Sequence, residues 1–168
     1  NNIIRNSIAN SYRGIILRHS SNNRISENNV STNDYDGIYI IDDSSDNIIF
    51  KNQLTENHRD GVYVGFSSNN IISRNRIVEN FVYAICLDHS SNGIVSKNYV
   101  ANNVYGIYPQ SASNNIIYHN NFFNNTIDVY SYESWNTWDD GYPSGGNFWG
   151  RYEGIDEFNG PYQNITGS

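Results

Sequence analysis

The chain carries 168 residues at a formal net charge of -7, with 38% hydrophobic residues, one cysteine, three prolines and no methionine. An acidic chain without a basic stripe excludes nucleic acid as a partner, because phosphate backbones are bound by clustered lysine and arginine. No run approaches the roughly 18 apolar residues of a membrane-spanning helix, and a single cysteine cannot form an internal disulfide. The size suits one domain; the missing methionine and the lack of a signal-peptide pattern at Asn1 read as a piece of a larger or processed protein.

Taken in order, the first predicted element is a slightly irregular coil, Asn1 to Ser21, in which Asn6 and Asn10 stand four apart while later pairs of the same kind stand five apart. Coils two to five open at Asn22, Asp46, Asn69 and Asn92. One asparagine ladder falls at Asn28, Asn52, Asn75, Asn98 and Asn120 with steps of 24, 23, 23 and 22 residues, and a second at Asn33, Asn57, Asn80, Asn103 and Asn125 has identical steps. Apolar columns run in phase with them: Ile25, Ile49, Ile72, Val95, Ile117; Val30, Leu54, Ile77, Val100, Phe122; and Ile15, Ile38, Val62, Ile85, Ile107. Short alternating Ile/Val runs argue three strands per period, and the absence of regular leucines and of a 3.6-residue period argues against leucine-rich repeats. The fold class predicted is all-β: a single-stranded right-handed parallel β-helix, a solenoid of about six coils, whose turns bury their inward residues only by stacking. At roughly 4.8 Å per coil the rod is on the order of 29 Å long.

Each coil begins with Ser-Ser or Ala-Ser followed by Asn, Asp or Gly, a turn signal, and the ladder asparagines are expected at corners where their amides bond along the rod. The charges before one corner, Arg5, Glu27, Lys51, Arg74, Lys97 and His119, read as a solvated face. In the Gly-Ile-Tyr-Ile strand, period-two alternation turns the middle residue outward, so Ile16, Tyr39, Tyr63, Cys86, Tyr108 and Tyr130 form an outer column; exposed tyrosines in register would make a flat surface for sugar rings. Cys86 is a lining residue of that column. The pairs Arg18-His19, Asp42-Asp43, Gly65-Phe66, Asp88-His89 and Gln110-Ser111 follow and should stack along one edge. Tyr39, Tyr63, Tyr108, Asp43, Asp88 and His89 are therefore the carbohydrate-binding candidates, and Asp42, Asp43, Asp88 and His89 the acid-base candidates. Asp36 and Asp60, before the glycines, are the candidate cation ligands, calcium being the ion that carboxylates suit. The intervening Gly65-Phe66 puts Asp43 and Asp88 on the order of 10 Å apart, and only Arg13 and Arg18 are near enough to serve as cationic partners.

After Tyr132 the ladders give way to aromatics and glycines, which predicts two parts: β-helix repeats over residues 1–132 and a terminal cap over 133–168, with three tryptophans closing the open end. The repeats resemble those of the NosD-like and CASH (carbohydrate-binding and sugar hydrolysis) β-helix families. Asn136-Thr137-Trp138 through Gly141-Tyr142-Pro143-Ser144-Gly145-Gly146-Asn147-Phe148-Trp149 resembles a segment that ends many archaeal surface proteins of that type. In such relatives an acidic, glycine-containing run follows the segment like Asp156-Glu157-Phe158-Asn159-Gly160-Pro161, and the chain stops at Ser168 without it. The resemblance implies copper-related maturation or polysaccharide binding; without methionine and with scattered histidines at 19, 58, 89 and 119, copper transfers poorly. Sequons at Asn29, Asn124 and Asn164 permit glycosylation in an exported protein. The reading these features favour is a non-catalytic extracellular or cell-surface module, contacting polysaccharide or neighbouring copies and domains of a surface assembly. The alternative is a polysaccharide lyase, epimerase or hydrolase working through the Asp/His edge.

Overall fold

The computed structural model describes residues 1–141 and 144–151 and the backbone of two short strands, Phe158–Asn159 and Ile165–Thr166, which pair antiparallel. Tyr142, Pro143, the acidic end of the segment from Asp156 and the Asn164 sequon lie outside the described residues. The chain is a right-handed parallel β-helix with no helix among the described residues. Three parallel sheets run its length. The first begins with Asn2–Ile4, Arg24–Ser26 and Ile48–Phe50, and the second with Ser7–Ala9, Asn29–Ser31 and Gln53–Thr55. The third comprises Ile15–Arg18, Ile38–Ile41, Val62–Gly65, Tyr83–Asp88, Tyr105–Gln110 and Ile127–Val129.

The register follows the apolar columns: Ile49 pairs with Ile72, Leu54 with Ile77, and Val62 with Ile85. Every one of these residues is buried, and together they form one continuous core running down the rod. The strands of the three sheets are only two to six residues long, so each coil could not bury its apolar side alone; the neighbour above and below supplies the missing contacts.

The corners turn on a repeated device. A non-glycine residue takes the left-handed conformation and a buried polar residue follows it. Arg5, Glu27, Lys51, Arg74, Lys97 and His119 are left-handed with φ of 54–58°, and Asn10, Thr32, Glu56, Glu79, Asn102 and Asn124 at the next corner with φ of 50–59°; the residue that follows is buried in every coil but the first, where Asn6 and Ser11 are exposed. The charged column is thus more than a solvated face: it makes the bend. Left-handed geometry is costly for L-residues, and the amide behind it compensates. In the middle of the first ladder, Asn52 donates its backbone N–H (2.8 Å) and its Nδ2 (3.0 Å) to Asn75 Oδ1, and Asn75 repeats the pattern onto Asn98.

Two alignments differ from the sequence reading. In the second ladder the first-coil position belongs to Ser11, not Asn10, because Ser11 N–H donates to Asn33 Oδ1 and stands five residues after Asn6, as in every later coil. A third ladder through Asn23, Asn47, Asn70, Asn115 and Asn136 accompanies the first two, broken at Gly93, whose N–H nonetheless donates to Asn115 Oδ1. Its coil-opening Ser-Ser signal hides a fourth stack, in which Ser20 and Ser44 N–H groups donate to Ser44 and Ser67 Oγ. At the far end Trp149 stacks on Phe122 (4.8 Å, 13°), with Trp138 packed beside it, and Asn147 extends the first ladder by accepting from Asn120. Trp135, expected to plug that end with them, is 76% exposed instead.

Candidate functional site

The outer face of the third sheet, with the corner that feeds it, gathers the chemistry the sequence pointed to. Immediately before the strand the residues in register are Arg13, Asp36, Asp60 and Tyr83, since Gly14, Gly37 and Gly61 donate to the carbonyls of Asp36, Asp60 and Tyr83. Asp36 and Asp60 are fully buried. Arg13 Nε donates to Asp36 Oδ2 at 2.7 Å, and Arg59 Nε stands 3.7 Å from Asp60 Oδ2. Asp60 Oδ1 accepts from Tyr83 N–H, whereas Asp36 Oδ1 and Asp60 Oδ2 are buried without a hydrogen-bond partner among the described residues. Burial, then the Asp36 charge, push the Asp60 carboxyl up to about 7 against the pull of Arg59. At the cation position read from Asp36 and Asp60, guanidinium groups stand next to the carboxylates, and no group of three or more metal-ligating side chains occurs among the described residues.

The tyrosine column keeps the predicted alternation but not the predicted exposure. Tyr39 stacks on Tyr63 (5.0 Å, 21°), and Tyr108 lies between Tyr83 (4.7 Å) and Tyr130 (5.4 Å). Arg13 covers the Tyr39 ring at 4.0 Å. The rings stack along the rod, so their faces are spent on one another. This replaces the flat stacking surface. Cys86 interrupts the column; burial pushes its thiol well above the ordinary range, and Tyr83 reaches across from the neighbouring column to stack on Tyr108. Burial likewise pushes the Tyr83 phenol up to about 12.

Tyr63 is only 9% exposed. Its ring lies over Gly65, where any Cβ would fall 2.7 Å from Tyr63 Cε1, and this glycine lets the hydroxyl reach Asp88 Oδ2 at 2.7 Å. Burial and then that bond raise the Tyr63 phenol far above its usual range. The other Asp88 oxygen accepts from His89 Nδ1 at 2.7 Å, and the His89 ring stacks on Phe66 (4.8 Å, 12°). Tyr63, Asp88 and His89 form one hydrogen-bonded set, with the His89 side chain 48% exposed.

Asp42 and Asp43 do not join it. Asp42 is the extra residue of a longer coil: Arg18 pairs with Ile41, while His19 N–H donates to Asp42 O and Asp43 N–H to Phe66 O. Both aspartates are left-handed, with φ of 55° and 56°. Asp42 Oδ2 accepts from Arg18 Nε at 2.7 Å. Asp43, exposed, shares its column with Phe66 and His89, about 10 Å from the latter.

Sequence reasoning missed Arg59 and Tyr83. The signal for Arg59 was its place directly before Asp60, in register with Tyr35 of the previous coil. Two concavities lie near. One of about 230 Å³ is walled by Arg13, Ile16, Arg18, Tyr39, Ile41 and Asp42 on this face. The other, about 680 Å³, opens over the second-ladder corner at Phe81, Asn102 and Asn124. It is shallow, and Glu79 is the only ionisable residue in its lining, so the chemistry belongs to the first.

A family model described as periplasmic copper-binding protein (NosD) matches residues 1–154. No curated protein matches the chain. Among solved structures, the periplasmic alginate epimerase AlgG is 22% identical with a TM-score of 0.73, over 82% of this chain and 39% of that one. The A-module of the Azotobacter vinelandii mannuronan C-5 epimerase AlgE6 is 18% identical with a TM-score of 0.67, over 79% and 39%. The chain thus spans about two-fifths of these proteins, and at such identities the likeness is one of fold. Copper does not fit the residues present. The chain has no methionine, its one thiol is buried and held protonated, and three of its four histidines are each engaged separately: His58 on Phe81, His89 on Phe66 and Asp88, and His119 on the Ser144 carbonyl.

Proposed function

The chain belongs to the NosD family, and from that premise we propose that it is an extracytoplasmic β-helical module that holds a polysaccharide chain along the outer face of its third sheet. One observation carries the reading. Three corners of the rod repeat the same amide or hydroxyl in nearly every coil, whereas this face changes from coil to coil and sets tyrosine edges, ionic pairs and a cleft along one line. A rigid row of hydroxyls and paired charges at the coil spacing suits an extended polymer better than a compact ligand. The periplasmic descriptions of the family and of one neighbour support a location outside the cytoplasm, and the polysaccharide named in the neighbours' titles supports the ligand class. The test is affinity electrophoresis against a panel of soluble polysaccharides, comparing the native chain with Tyr39→Phe and Tyr108→Phe, which remove only hydroxyls. Retardation by at least one polymer, weakened several-fold in both variants, is the expected result. A chain that migrates unretarded by every polymer does not have this function.

A second reading has its own observation. With Asp88 fixing both Tyr63 and His89, His89 Nε2 is oriented as a general base toward a sugar bound on the face, the arrangement an epimerase or lyase needs for abstracting a proton. Turnover of a uronate polymer that is lost in His89→Gln would establish it.

A further inference from the structure

Resting on the reading of this face as a polysaccharide surface, we infer that the polymer it takes is electrically neutral, with one hexose ring seated in the cleft between the first two coils. The cleft has an apolar floor of Ile16, 52% exposed, and Ile41, suited to the C–H face of a pyranose. Its polar walls are Arg13, paired with the buried Asp36, and the Arg18–Asp42 pair, each pair joined through Nε at 2.7 Å. A guanidinium carries five N–H donors, and neither the Nη groups of Arg13 and Arg18 nor Asp42 Oδ1 has a hydrogen-bond partner among the described residues. Free donors beside a free acceptor match adjacent ring hydroxyls, each of which donates and accepts at once.

The charges exclude a polyanion. On this face Arg13, Arg18 and Arg59 stand against Asp36, Asp42, Asp43, Asp60 and Asp88, and every arginine already has a carboxylate within 4 Å. A sugar carboxylate entering the cleft would meet an arginine whose charge Asp42 already balances, and would lie beside the Asp42 carboxylate itself. It would also approach a chain of net charge -7, whose field reaches about 8 Å at physiological salt. A neutral ring meets neither penalty.

The experiment titrates the native chain with soluble glucomannan, xyloglucan and alginate by calorimetry, at about 10 mM and about 150 mM salt. Arg18→Gln and Asp42→Asn are titrated beside it, with circular dichroism to verify their fold. Arg18 is exposed, so its replacement spares the core. Binding of a neutral polymer that changes less than about twofold with salt, and weakens about tenfold in both variants, bears the inference out. Tighter, salt-sensitive binding of alginate overturns it while leaving the polysaccharide reading intact. Neutral binding that both variants retain in full overturns the cleft as the seat of the ring. Failure to bind any of the three, when the wider panel also fails, overturns the underlying reading and the inference with it.

Discussion

The ladders at Asn28–Asn120 and Asn33–Asn125 and the column at Asp36 and Asp60 are built on the same rod and solve the same problem in opposite ways. At the first two, each buried amide is both donor and acceptor, so identical residues satisfy one another indefinitely and no coil is distinguishable from the next. At the third, the residues in register are Arg13, Asp36, Asp60 and Tyr83, and two carboxylate oxygens are left buried without a hydrogen bond among the described residues. A carboxylate only accepts, so it cannot stack on its like. Repetition marks the part of the molecule that holds it up, and departure from repetition marks the part that has been given something else to do.

The comparison breaks most sharply at Asn75. Asn75→Ala removes the acceptor for both Asn52 donors and takes the Nδ2 donor from Ile49 O and from Asn98 Oδ1, which keeps only the backbone N–H of residue 75. Unsatisfied buried groups cost roughly 1–3 kcal/mol each, so a loss of about 4 kcal/mol is expected in urea unfolding. A loss below about 1 kcal/mol would mean that the ladders are ornament.

Asp60→Asn should act in the opposite direction, and through pH. The Asp60 carboxyl titrates near 7 in the folded chain, above its ordinary value of 3.8. Between those values the folded state holds a proton that the unfolded state has lost. Stability therefore rises as pH falls from about 7 towards 4, and the cost of burying the charge is fully present above about 7. The native chain should be more stable at pH 5 than at pH 8 by about 2 kcal/mol, and Asp60→Asn should flatten that slope. Equal slopes in the two proteins would place the proton elsewhere.

A smaller effect is expected from Tyr63→Phe, which removes the bond to Asp88 without leaving a cavity. It should cost about 1 kcal/mol. It should also move the NMR resonances of the His89 ring, because Asp88 then loses one of its two donors. Unmoved ring resonances would separate Tyr63 from the set. Smallest of all is Arg5→Ala. The Arg5–Glu27 contact is short, at 2.7 Å, but Arg5 is 76% exposed, and such pairs add little. The unfolding midpoint should not move measurably.

Spacing alone sufficed for the fold. The interval of 22 to 24 residues, kept by two asparagine ladders and three apolar columns, leaves no architecture but a stacked coil with three short strands, because each column must face its own copy one turn on. It also sufficed for which side of the Gly-Ile-Tyr-Ile strand faces out, since alternation is a property of the backbone. What surrounds an outward residue was decided only in three dimensions. That Tyr63 lies flat over Gly65 to reach Asp88, that tyrosine faces are consumed by stacking, that Arg59 meets Asp60 and that Asp42 bulges out of register depend on side chains from different coils. Periodicity specifies where each residue stands along the rod. It carries no information about the direction in which a long side chain bends, and that direction is set by the volume and charge its neighbours leave open.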